Sequence, residues 1–113
     1  MSHITTHVLD TSRGTPAAGV AVALEQRVTA DRWQQIGSGE TDADGRLRTL
    51  TREREATQGV YRLVFNTGDY FRSRDDATLY PQVVIVFETV EGQSHYHVPL
   101  LVSPFGYTTY RGS

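Results

Sequence analysis

The 113-residue sequence contains no cysteine and no lysine, because all 11 of its basic residues are arginine. Without cysteine the chain can form neither disulfides nor thiolate metal ligands, and it has no cysteine nucleophile. Without lysine it cannot form a Schiff base or supply the amine of a phosphate-binding P-loop. These two absences exclude several enzyme classes, and they leave the redox compartment unassigned.

The chain also lacks a strong net charge and long apolar runs. Its 11 basic and 13 acidic residues give a net charge of -2, so no basic surface for nucleic acid or anionic membranes is expected. No apolar run approaches the roughly 20 residues that cross a bilayer. Residues 1–6 lack the basic and apolar regions of a secretory signal, which predicts a cytoplasmic protein. The length fits one domain over residues 1–113, with small molecules or other subunits as partners.

What is present is a series of segments rich in Val, Thr, Tyr and Phe, separated by turn residues. This pattern predicts an all-β sandwich. About eight strands are expected, at residues 4–10, 19–27, 33–41, 46–50, 60–66, 82–90, 95–102 and 106–111. One short helix is expected at residues 67–74, capped by Thr67 or Asp69. Residues 51–58 are polar and are interpreted as a solvated connection.

The four histidines fall near two of these strands, His3 and His7 at the first and His95 and His97 in the seventh. Even spacing within a strand puts both side chains on one face. In each strand the alternating apolar residues form the opposite face, which is the expected core. The imidazoles should therefore lie on the outer surface, and they converge if the two strands share a sheet.

Three interpretations of the histidines follow from the pattern alone. They are exposed polar residues, or three of them form a catalytic zinc shell, or a neutral imidazole acts as a metal-free general base. Asp42 and Asp44 before Gly45 indicate a tight turn, because the later oxygen ligands of a calcium loop are missing. No serine lies in a Gly-x-Ser-x-Gly motif. Residues 109–113 would ordinarily be a frayed tail, although Arg111 could reach an anion.

Several segments together resemble the 5-hydroxyisourate hydrolases. They are residues 3–10, 14–17, 41–46 and 95–107, and residues 110–113 look like the terminal signature tetrapeptide of that family. Residues 100–104 also resemble the transthyretins, so they mark the fold and not the activity. The resemblance to the enzymes depends on His7, Arg46, His97 and the tail.

The resemblance implies a transthyretin-like β-sandwich of two four-stranded sheets with one short helix, assembled as a homotetramer that is a dimer of dimers. The clefts between dimers would form a central channel, so the active site would be built between subunits. The implied reaction is hydrolysis of 5-hydroxyisourate to 2-oxo-4-hydroxy-4-carboxy-5-ureidoimidazoline, without metal or cofactor. The rival function is that of a non-enzymatic carrier, as in transthyretin.

The resemblance also implies roles for individual residues. His7 and His97 would orient and deprotonate a water, and the sequence does not distinguish which is the base. Arg46 would bind substrate and keep a neighbouring imidazole neutral. Tyr110 would contact substrate and close the cleft. Arg111 and Ser113 would contribute hydrogen bonds or, through a terminal carboxylate, an ion pair.

Overall fold

The computed structural model describes residues 2–113 as nine strands and one helix in two sheets. In chain order the elements are β1 His3–Asp10, β2 Thr15–Pro16, β3 Ala21–Thr29, β4 Arg32–Glu40, β5 Arg46–Leu47, β6 Gly59–Phe65, α1 Thr67–Arg72, β7 Val83–Thr89, β8 His95–Ser103 and β9 Gly106–Thr109. The all-β prediction is therefore confirmed.

The first sheet has the order β2-β1-β8-β9, with β5 also paired to β1, and the second has the order β4-β3-β6-β7. β1 and β8 run parallel, whereas the other strand pairs are antiparallel. The predicted two four-stranded sheets thus become one of five strands and one of four. The added strand is β2, which pairs with the end of β1, and only the first two residues of the predicted 46–50 strand form a ladder.

The core lies between the sheets and is built from alternate residues of each strand. In β1, Ile4 and Val8 have no exposed surface, and in β8, Leu100 has none. The facing sheet contributes Leu24 and Phe65, which are equally buried. Each such side chain contributes about 1.5–3 kcal/mol through removal of apolar surface from water. This burial fixes the alternation of β1 and β8, and it directs their histidines away from the core.

The predicted helix exists but is shorter than expected. It ends at Arg72 instead of residue 74, and Asn66 occupies the N-cap position, so the predicted cap at Thr67 or Asp69 is wrong. The Asn66 amide instead donates a 2.7 Å hydrogen bond to the Asp69 carboxylate. In residues 2–113 no helix has the length and apolar character needed to span a bilayer.

The predicted solvated connection at residues 51–58 is partly wrong. Ala56 is fully buried, and its backbone forms a bridge to Ser2 through hydrogen bonds of 2.7 and 2.9 Å. Thr51 is buried as well. The segment therefore closes over one end of the first sheet, while its charged side chains, Thr57 and Gln58 are in solvent.

Candidate active site

Pairing of β1 with its two neighbours brings the predicted site residues together. The parallel register with β8 sets Thr5 beside His97, and the antiparallel register with β5 sets His7 opposite Arg46. Directly opposed residues in antiparallel strands have Cβ atoms about 4.5–5.5 Å apart and project to the same face. The predicted convergence of His7, Arg46 and His97 on one outer surface is thus found within a single chain.

A pocket of about 200 Å³ opens on this surface. We call it the histidine pocket. Its lining residues are Thr5, Thr6, Arg46, Arg48, His95, His97 and Ser113. His7 is half-buried beside it and does not line it. The pocket therefore combines two imidazoles and two guanidinium groups with hydroxyl groups, a composition suited to an electron-rich polar molecule.

The hydroxyl of Thr5 lies between the two imidazoles of the pocket. Its Oγ1 is 2.8 Å from Nδ1 of His97 and 3.0 Å from Nε2 of His95. The two rings are stacked, with centroids 6.3 Å apart. Because Nδ1 of His97 is bound to Thr5, Nε2 is the nitrogen available to a molecule in the pocket.

The environment of His97 lowers the pKa of its imidazole below the ordinary value of 6.5. Burial is the largest cause, because it disfavours the charged form. Electrostatic repulsion of the imidazolium by Arg46, His95, His7 and Arg48 contributes further, in that order. His97 is therefore neutral at pH 7 and able to accept a proton.

Arg46 is held by the turn that precedes it. Its backbone N–H donates a 3.0 Å hydrogen bond to the Asp42 carboxylate, and this bond is the main reason why the pKa of Asp42 is lowered. Gly45 adopts a φ of 76°, and a Cβ there would lie 2.4 Å from the carbonyl of Val8. The turn therefore requires glycine, and it fixes Arg46 at the start of β5.

The C-terminal segment is anchored beside the pocket. Gly112 forms an isolated bridge with His97, through a 2.8 Å hydrogen bond from its N–H to the His97 carbonyl. A Cβ on Gly112 would lie 2.5 Å from Cδ2 of the His97 ring. The close approach of the backbone brings Ser113 into the pocket lining.

Two predicted substrate-binding residues lie elsewhere in the same chain. Tyr110 and Arg111 line a separate hollow between β7 and β8. The Arg111 guanidinium carbon is 4.7 Å from the centre of the Tyr96 ring, and its Nη2 donates a 3.1 Å hydrogen bond to Gln93. Within one subunit the structure does not bring either residue to the histidine pocket.

Sequence reasoning assigned no role to Thr5, Thr6 and Arg48 of the pocket, and it considered His95 only as one of the four histidines. Thr5 and His95 share faces with His7 and His97 by strand alternation, and Arg48 follows Arg46 at the same even spacing. The spacing could have identified them, although the hydroxyl bridge depends on the register. Within residues 2–113 no three His, Asp or Glu side chains are arranged to hold a metal ion.

Comparison with known proteins gives consistent matches over the whole fold. Residues 4–112 match the HIUase/Transthyretin family. The chain is 46% identical to a 5-hydroxyisourate hydrolase of Salmonella typhimurium over 110 residues, covering 97% of this chain and 80% of that relative. Its structure is similar to that of Klebsiella pneumoniae 5-hydroxyisourate hydrolase, with a TM-score of 0.88, 35% identity and 100% coverage of both chains. It is also similar to sea bream transthyretin in complex with thyroxine, with a TM-score of 0.90 and 36% identity. That match covers 96% of this chain and 93% of the transthyretin chain.

Proposed function

Because the chain belongs to the HIUase/Transthyretin family, we propose that it hydrolyses 5-hydroxyisourate to 2-oxo-4-hydroxy-4-carboxy-5-ureidoimidazoline. The observation that carries this proposal is the histidine pocket, in which a neutral imidazole and a guanidinium share one cavity. The relatives named as 5-hydroxyisourate hydrolases support the choice of substrate. No metal or cofactor enters the proposed reaction.

The proposed base is His97. Its Nε2 takes a proton from water while the water oxygen attacks the carbonyl carbon of a C–N amide-type bond in the six-membered ring. The C–O bond forms, the C–N bond breaks, and the proton passes to the departing nitrogen. The lowered pKa of His97 supports this role, because a general base must be unprotonated at the working pH.

Arg46 and His7 have supporting roles in this proposal. The Arg46 guanidinium binds the electron-rich substrate and stabilises negative charge that develops on the carbonyl oxygen. His7, opposite Arg46 in the sheet, orients the water. The permanent charge of Arg46 also keeps His97 neutral.

The tail completes the site in two ways under this proposal. Ser113 hydrogen-bonds the substrate within its own pocket. Tyr110 and Arg111 line a different hollow in their own chain, so we assign their substrate contacts to the boundary with a neighbouring subunit.

This assignment requires a homotetramer, arranged as a dimer of dimers. Light scattering should then give a mass four times that of the 12.6 kDa chain. The cytoplasmic location stays a prediction.

A carrier of small aromatic ligands is the second candidate function, favoured by the similarity to sea bream transthyretin in complex with thyroxine. A direct assay separates the two functions. Freshly generated 5-hydroxyisourate is mixed with the protein and its ultraviolet absorbance is followed. Rapid, catalytic decay supports the hydrolase. Saturable binding of thyroxine with no acceleration of the decay supports the carrier.

A further inference from the structure

The Thr5 hydroxyl couples the protonation states of the two imidazoles that it contacts. A hydroxyl has one hydrogen to donate, and its oxygen can accept others. With Oγ1 at hydrogen-bond distance from both His97 Nδ1 and His95 Nε2, it can donate to only one of these nitrogens. The other nitrogen must carry a hydrogen and donate to Oγ1. When both rings are neutral, the tautomer of one imidazole therefore determines that of the other.

We propose that Thr5 is a positioning residue that holds His97 in the tautomer with a free Nε2 and passes the proton of catalysis on to His95. In the resting state Nδ1–H of His97 donates to Oγ1, and the Thr5 O–H donates to Nε2 of His95. Only the proton-transfer part of this inference depends on the proposed hydrolysis. The tautomer assignment holds whatever the substrate is.

The strand register makes this geometry rigid. Thr5 is directly beside His97 in the parallel pair, and His95 lies two residues earlier on the same face of β8. The β-branched side chain of Thr5 has few χ1 rotamers, and its neighbours restrict it further. Thr5 and His97 are half-buried, whereas His95 is exposed. The chain of hydrogen bonds thus runs from the pocket to solvent.

Proton transfer along this chain is balanced at each atom. After His97 takes a proton from water at Nε2, its Nδ1 proton moves to Thr5 Oγ1 while the Thr5 proton moves to Nε2 of His95. His97 returns to neutrality with its hydrogen on Nε2, ready to donate to the departing nitrogen, and His95 becomes an imidazolium. His95 holds the extra proton until His97 has protonated the departing nitrogen. The exchange then reverses: Nε2 of His95 returns its proton to Thr5 Oγ1 while the Thr5 proton returns to Nδ1 of His97, and both rings are neutral again.

The surrounding charges favour movement of positive charge outward. His97 is repelled by Arg46 and Arg48 from the β5 segment, by His7 from β1 and by His95 from its own strand. Ser113 of the tail lines the same pocket. His95 lies beside His3 of β1 in the strand register, and its carbonyl accepts a 3.5 Å contact from Arg111. An imidazolium is better solvated at exposed His95 than at half-buried His97.

The experiment measures imidazole ¹⁵N shifts of the wild-type protein by NMR, with the histidines assigned by single substitution. We expect hydrogen on Nδ1 of His97 and a lone pair on Nε2 of His95 near pH 7.5. Thr5→Val should shift His97 toward the Nε2–H tautomer, and Thr5→Ser should restore the wild-type spectrum. Unchanged His97 shifts in Thr5→Val, or hydrogens on both facing nitrogens of the wild type, would overturn the proposal.

Kinetics test the relay separately. Thr5→Val should lower kcat on the order of tenfold, the effect of losing one hydrogen bond, with a smaller change in KM, and Thr5→Ser should recover it. His95→Gln keeps an acceptor for Thr5 but cannot take the proton, so kcat should fall and added imidazole buffer should partly restore it. Wild-type kcat in His95→Gln would overturn the relay. A wild-type protein with no hydrolase activity would refute the proposed function, while the NMR result would still decide the tautomer.

Discussion

The backbone N–H of Gly112 donates a 2.8 Å hydrogen bond to the carbonyl of His97. The last residues therefore extend along β8 beyond the end of β9 and lie against the proposed base. Gly112 has no side chain to separate the two segments, and a Cβ would be 2.5 Å from the imidazole. The position of the tail and the orientation of His97 are thus directly coupled.

Gly112→Ala should impair catalysis with little loss of stability. The added methyl group would displace either the tail or the His97 ring, and a misplacement of about 1 Å can cost on the order of 10²-fold in rate. The measurement is kcat/KM with 5-hydroxyisourate. Gly106→Ala is the matched control, since its Cβ would meet only the Ser103 hydroxyl, at 3.8 Å. Equal activity of both variants would refute the coupling.

His97→Gln should lower kcat by about 10²–10⁴, the usual contribution of a general base, while the protein stays folded. If His7 orients the water, the kcat of His7→Gln should be lowered by a factor in the same range. The control is His3→Gln, another outward-facing histidine of β1, whose ring is near Glu55 at 3.8 Å. Full activity of His97→Gln would rule out its role, and a comparable loss in His3→Gln would point to a general structural effect.

Arg46→Gln should raise the pKa of His97, because it removes the largest charge repulsion acting on the imidazolium. Arg46→Lys keeps the charge and should leave that pKa close to the wild-type value. The pKa of wild-type His97 lies below 6.5, so neutral imidazole should persist as the pH falls through 6.5 and disappear at lower pH. In the Arg46→Gln variant, His97 should protonate at a higher pH than in the wild-type protein. NMR titration of the His97 ring measures this independently of activity.

Tyr70→Phe should destabilise the fold by about 1.5–3 kcal/mol, the range for a hydrogen bond to a charged group. The Tyr70 hydroxyl donates a 2.8 Å hydrogen bond to the buried Asp10 carboxylate. Chemical denaturation measures the loss, with Tyr107→Phe as the control because that side chain is 43% exposed. A free energy of unfolding equal to that of the control would contradict the expectation.

The same carboxylate predicts an acid transition. Burial raises the pKa of Asp10, but hydrogen bonds from Ser12, Tyr70 and Arg13 together outweigh it, so the pKa lies below 3.8. A group with a lowered pKa stabilises the fold above its unfolded value, and that stability is lost as the pH falls through the folded value. Asp10→Asn should therefore remove stability at pH 7 and weaken the dependence of the unfolding free energy on pH below about 3.8.

Strand faces could be predicted from the sequence because alternation is local. The burial of Val98 and Leu100 beside half-buried His97 follows from spacing alone. Strand pairing could not be predicted in the same way, because Thr5 and His97 are 92 residues apart. The hydroxyl bridge between two histidines exists only in that register, so it has no signature in either segment.

The tail shows why the surroundings of some proposed site residues could not be predicted from the sequence. A polar tetrapeptide indicates hydrogen bonding, but its sequence does not say which neighbours compete for each side chain. Arg111 stacks on Tyr96 and bonds Gln93, so it lies beside the separate hollow of its own chain. Ala56 was missed for a related reason, because one small apolar residue among charged ones produces no periodicity.

The parallel pairing of β1 with β8 also determines when the histidine pocket can exist during synthesis. The Thr6 hydroxyl reaches the Val98 carbonyl at 2.6 Å across 92 positions of sequence. Contacts between such distant residues carry a large loop-closure cost and form slowly. A nascent chain on the ribosome that has not yet released β8 has imidazoles from β1 alone. Substrate turnover would consequently report that the polypeptide has finished folding, and would remain absent from partly translated chains.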